Sequence, residues 1–154
     1  MAEKGVFGHF GVDFMCIQNH QSLEWNIYAI EINLRLTGTT HPMMTLENLT
    51  NGVLQEDGLF LAGPNDTACF YVSYDHVYDD DFKKLIPLDI LELFDHHSLH
   101  YCHQLKRGVV FHMLGAISQY GTIGLTCIGS SREEAKELFN DAMAVLKSAA
   151  RETF

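Results

Sequence analysis

Positive charge is scarce in this chain. Ten Lys and Arg stand against twenty Asp and Glu among 154 residues, a formal net charge of −10, and no Lys/Arg run breaks that balance. Bulk attraction to phosphate backbones or anionic bilayers is therefore excluded, so neither nucleic acid nor a membrane is expected as a partner. Cysteine is sparse too: Cys16, Cys69, Cys102 and Cys127 are scattered without a CxxC pair. Nothing resembles a signal peptide or an apolar run long enough to span a bilayer, which leaves a reducing, cytoplasmic setting as the expectation. Linkers, internal repeats and low-complexity stretches are also missing. What is present is 47% hydrophobic and 19% charged, the composition of one folded domain and not of a disordered chain. An acidic protein can still hold a polyanion such as ATP, provided that divalent cations bridge its carboxylates to the phosphates.

Patterning predicts an α+β domain in which a mostly antiparallel sheet carries helices packed on one side. Residues 10–17 are apolar with Asp13 as the one acidic interruption and read as a mostly buried strand. From Trp25 to Leu34 the period is two, which places Ala29, Glu31 and Asn33 on one face, and the two segments form a β-hairpin. Pro42 suits the first turn of a helix over about 42–51, with Asn51-Gly52 as its stop. A strand is expected near 68–74 and a second helix from Pro87, ending near the histidine cluster. A second hairpin is expected from 108–117 and 122–128, with Gly115 and Gly124 permitting close backbone approach. Ser131-Arg132-Glu133-Glu134 reads as a capping box for a closing helix whose apolar stripe runs from Ala135 through Leu138, Ala142 and Leu146.

Asp13 on one strand with Glu31 and Asn33 two apart on the next puts three oxygen-bearing side chains on one surface. Mg²⁺ takes such hard ligands, typically one or two carboxylates together with substrate phosphate oxygens. Arg35, two residues further, offers the planar donor fork that suits phosphate or carboxylate. On spacing alone the same residues also read as the polar outer positions of a half-exposed hairpin.

The motif Glu31-Ile32-Asn33-Leu34-Arg35, followed by Gly38-Thr39-Thr40-His41-Pro42, resembles the C-terminal lobe of the ATP-grasp superfamily. Together with Gly11-Val12-Asp13-Phe14, Gly108 to Leu114 and Ile128-Gly129-Ser130, it is similar to the branch around the pheganomycin peptide ligase, over about residues 7–150. The resemblance implies that Asp13, Glu31 and Asn33 hold two Mg²⁺ ions bridging the β- and γ-phosphates of ATP, and that Arg35 stabilises an acyl phosphate. It implies ATP-dependent condensation of a carboxylate with an amine, with acceptor choice left to the preceding lobe and to loops such as 55–67. Such enzymes clamp the nucleotide between two lobes, and no Gly-rich phosphate loop followed by Lys occurs here. The chain is thus expected to be one lobe of a larger protein, acting either as half of a ligase site or as a nucleotide-sensing scaffold with a protein partner.

Other groups read more plainly. His96, His97, His100, Cys102 and His103 suggest a histidine-rich helix end more than a structural zinc site, and Asp79-Asp80-Asp81 with Lys83-Lys84 a solvated charge run. His112 reads as a core histidine, and His41 either orients the loop carrying Arg35 or caps the next helix. The Asn48–Thr50 and Asn65–Thr67 sequons are read as chance.

Overall fold

The structure is a computed structural model that describes residues 2–5, 7–63 and 67–152; Asn65, with residues 64–66 of the 55–67 stretch, lies outside these. The chain divides into two compact units, Met1–Met44 and Thr45–Phe154. All named strand pairs are antiparallel, and helices and sheets are mixed in the α+β manner expected.

In the first unit, β1 (Gly11–Gln18) and β2 (Trp25–Asn33) form a two-stranded hairpin. The Asn19 side chain organises its turn by accepting from Gln21 N at 2.9 Å, while Leu23 takes a left-handed φ of 60°. The expected burial of β1 is corrected here. Phe14 is 57% exposed and Ile17 47%, and across the hairpin Trp25 and Ile27 are 61% and 65% exposed. Two strands have no layer of their own to cover either face, so an apolar pattern on them does not produce burial. The period of two is interrupted as well. Asp13 pairs with Glu31 but Phe14 pairs with Ala29, which leaves Ile30 as the extra residue of a β-bulge.

The helix expected over 42–51 is α1 (Thr40–Thr50), two residues longer at its start. It stops as anticipated: Asn51 takes a left-handed φ of 49°, and Thr50 Oγ1 donates to Leu46 O at 2.7 Å. In the second unit, β3 (Val53–Leu54), β4 (Phe60–Ala62) and β5 (Thr67–Ala68) make a small sheet. The larger sheet has the order β6–β8–β7, from β6 (Phe70–Tyr78), β7 (Gly108–His112) and β8 (Thr122–Gly129). The strand placed near 68–74 therefore begins at Phe70 and runs on to Tyr78. The strand expected to continue to residue 117 stops at His112. Met113 is left-handed, a 3₁₀ turn covers Leu114–Ala116, and α3 (Ile117–Tyr120) buries Ile117. Burial of that isoleucine favours a helical connection over five further strand residues.

Helices α2 (Pro87–His96) and α4 (Arg132–Glu152) complete the second unit. Its core joins Ile90 and Phe94 of α2, Ile123, Leu125 and Cys127 of β8, and Leu138, Ala142 and Leu146 of α4. The last three fall on the predicted stripe at helical spacing. Burial pushes the Cys127 thiol up to about 12, so it behaves as a small apolar group. Gly108 is required where it stands, because its φ is +129° and an added Cβ would run into the His100 carbonyl oxygen. Of the two glycines expected to permit close approach, Gly115 faces open space, whereas an added Cβ at Gly124 would meet the His112 ring.

The capping box forms in altered geometry. Ser131 Oγ accepts from Glu134 N at 3.0 Å, but the Glu134 carboxylate reaches one residue beyond the cap, to Ser130 N at 2.7 Å and Ser130 Oγ at 2.6 Å. Arg107 Nε lies 2.9 Å from the same carboxylate. The Ser130 hydroxyl and N–H, and then the Arg107 charge, hold the Glu134 carboxyl below its ordinary value. A depressed folded-state pKa contributes stability above the unfolded value, and that contribution is lost as pH falls through the folded one. Glu134→Gln should lower unfolding free energy by about 1 kcal/mol at neutral pH. In urea titrations the deficit should shrink as pH falls below about 4.3; a deficit independent of pH would show that the charge contributes nothing.

Candidate functional site

The four predicted site residues lie together at the open end of the hairpin. Asp13 and Glu31 are direct cross-strand partners, and Asn33, opposite Gly11, is the next residue along the same face. Directly opposed side chains on such a ladder have Cβ atoms about 4.5–5.5 Å apart, within the span of two carboxylates sharing cations. The bulge falls just past Asp13, so it leaves the Asp13–Glu31–Asn33 register intact while flipping everything beyond it.

Hydrogen bonds link three of the four. Asn33 Nδ2 donates to Asp13 Oδ2 at 3.1 Å, and Arg35 Nη2 reaches Asn33 Oδ1 at 3.5 Å. Arg35 Nη1 also donates to Leu36 O at 3.2 Å, and its backbone N–H to Asn33 O at 2.9 Å, which folds the chain back just after β2 ends. Asp13, Glu31 and Arg35 are exposed and Asn33 is half-buried, so the cluster is open to a ligand. The donor set fits Mg²⁺: two carboxylates and an amide oxygen are hard ligands, and too few to fill an octahedron, which leaves room for phosphate oxygens and water.

The loop after Arg35 is tightly built. Thr37 Oγ1 lies 2.8 Å from Thr39 Oγ1 and 3.2 Å from Thr40 Oγ1, and Thr37 O accepts from Thr40 N at 3.0 Å and from His41 N at 3.4 Å. Sequence reasoning singled out this Gly-Thr-Thr-His-Pro stretch but not Thr37. Its only signal there was a hydroxyl residue three positions ahead of another at a helix start.

The histidines take separate places. His96 ends α2, and His100 Nε2 lies 2.8 Å from Leu91 O. His100, His103 and His112 line an open groove of about 640 Å³ with Leu91 and Phe111. Among the described residues no three His, Cys, Asp or Glu side chains converge as a metal centre. The Asp79–Asp81 run begins a 3₁₀ turn, with Lys83 paired to Asp80 at 2.6 Å and Lys84 to Asp81 at 3.1 Å, all largely solvated. The Asn48 sequon lies inside α1.

Residues 89–140 match the PGM1 C-terminal domain. Over 142 residues the chain is 32% identical to L-propargylglycine--L-glutamate ligase of Streptantibioticus cattleyicolor, an alignment covering 92% of this chain and 28% of that protein. The chain thus spans a little over a quarter of the length of the curated relative that it matches. No solved structure matches it.

Proposed function

With the resemblance to the ATP-grasp C-terminal lobe of the pheganomycin-ligase branch borne out by these matches, we propose that the chain is the Mg-ATP-binding half of an ATP-dependent carboxylate–amine ligase. The observation that carries this reading is the cross-strand pairing of Asp13 with Glu31, with Asn33 hydrogen-bonded beside them. Two exposed carboxylates held face to face repel one another unless a cation lies between them. A hairpin has no structural need of that repulsion.

In this reading Asp13, Glu31 and Asn33 would hold one or two Mg²⁺ ions, which would supply charge neutralisation for the phosphates of ATP. Arg35 extends its fork past Asn33 to the reacting group. The substrate carboxylate attacks the γ-phosphorus and releases ADP; the amine then attacks the acyl carbon and phosphate leaves. Little covalent work falls to the protein, since phosphoryl transfer depends chiefly on position and charge. Donors from a second lobe complete the clamp, and that lobe selects the carboxylate and amine. The free thiols of Cys16, Cys69, Cys102 and Cys127 suit a cytoplasmic setting. Among the described residues no helix is long and apolar enough to cross a membrane.

A second reading, a scaffold that keeps the fold for protein interaction, is favoured by the exposed apolar side chains of β1 and β2. Calorimetry of Mg-ATP binding to the full-length protein separates the two. Glu31→Gln should weaken binding by about tenfold or more, the scale of lesions around metal sites. Unchanged affinity would leave the scaffold ahead.

A further inference from the structure

We infer that Thr37, seated against Gly11, is the positioning residue that holds Arg35 towards the reacting group. This assignment rests on the ligase reading above. Between Asn33 and Thr37 the chain has little else to fix it: Leu34 and Leu36 are 67% and 57% exposed, so neither buries a side chain that would anchor the turn. Arg35 is instead bracketed. On one side its N–H and Nη2 reach Asn33, and on the other Nη1 reaches the carbonyl of Leu36, the residue bonded to Thr37.

Thr37 is held from two directions. Its hydroxyl and backbone join Thr39, Thr40 and His41 at the start of α1, and its N–H donates to Thr40 Oγ1 at 3.2 Å. Its methyl faces β1: a Cβ built on Gly11 would stand 2.9 Å from Thr37 Cγ2. Gly11 does not use a left-handed φ, so what position 11 requires is room for that methyl. Gly11 also lies two residues from Asp13 and opposite Asn33. The hydroxyl bonds of Thr37 therefore hold the Arg35 turn, and its methyl, packed on Gly11, marks the space that position 11 must leave free. A methyl added at position 11 forces Thr37 to rotate, and rotation breaks its hydroxyl bonds to Thr39 and Thr40. The turn then loosens while Asp13, Glu31 and Asn33 keep their strand register.

The test uses the full-length protein with MgADP, alone and with aluminium fluoride as a stand-in for the transferring phosphoryl group. Gly11→Ala should leave MgADP affinity within about twofold and reduce the fluoride-dependent tightening by about 10- to 100-fold, the range for residues that orient a metal site's active groups. Thr37→Ser keeps the hydroxyl and removes the obstructing methyl, so alone it should behave nearly as wild type, and in Gly11→Ala/Thr37→Ser it should restore the tightening. Thr37→Val keeps the shape without the hydroxyl and should reproduce the Gly11→Ala loss even if Gly11→Ala folds poorly. Wild-type tightening in both Gly11→Ala and Thr37→Val, or no recovery in the double variant, overturns the assignment. Wild-type protein that binds no MgADP overturns the ligase reading itself, and this inference with it.

Discussion

Phe94→Ala should lower the unfolding free energy by about 3–5 kcal/mol, the range for truncating a buried aromatic ring. Phe94 is fully buried on α2, and its ring meets Phe111 of β7 edge-on with centroids 4.6 Å apart. It belongs to the same core as Ile90, Val109 and Leu146, so the vacated volume is bordered by two helices and the sheet, none of which can collapse without dragging its neighbours. Against a total stability of about 5–15 kcal/mol for an ordinary domain, that is a large fraction. Phe94→Leu, which keeps most of the volume, should be much milder. Denaturant titration followed by far-UV circular dichroism measures both; an alanine deficit below about 1 kcal/mol would mean that α2 is not packed on the sheet as described.

Arg35→Lys should reduce turnover in the full-length protein by about tenfold to a thousandfold, equivalent to about 1.4–4 kcal/mol of transition-state stabilisation. The reason is geometric. Arg35 lies beyond the proposed metal ligands, with one Nη toward Asn33 and the other toward Leu36 O, so its planar fork is set by the backbone turn. Lysine keeps the charge but has a single rotatable ammonium and loses the bidentate match to an acyl phosphate. Phosphate release driven by a panel of amino acids, together with separate Mg-ATP titrations, reads the two effects. The expected pattern is lower kcat with nearly unchanged nucleotide affinity. If ATP binding vanished while bound substrate still turned over normally, Arg35 would belong to the nucleotide and not to the reacting group.

The elements legible in the sequence are those whose cause is local. Pro87 opens α2 because its missing N–H is unneeded there, Asn51 ends α1 by accepting a left-handed turn, and Leu138, Ala142 and Leu146 meet the core because their spacing follows the helical repeat. That Asp13, Glu31 and Asn33 share one surface of a hairpin was legible for the same reason, since residues two apart on a strand point the same way. What failed depended on neighbours distant in sequence. Strand β1 is apolar yet exposed, because burial depends on what covers a strand and not on its own pattern. Strand β7 stops at His112 because burying Ile117 requires a helical connection, and Glu134 bypasses the ordinary cap because Ser130 and Arg107 are within its reach. Which side chains carry cation-compatible oxygens, and on which strands they stand, could thus be read from residue order alone. That a bulge at Ile30 closes their register and that Thr37 rests on Gly11 came from the folded chain, because such contacts arise from segments meeting in space and leave no period in the chain.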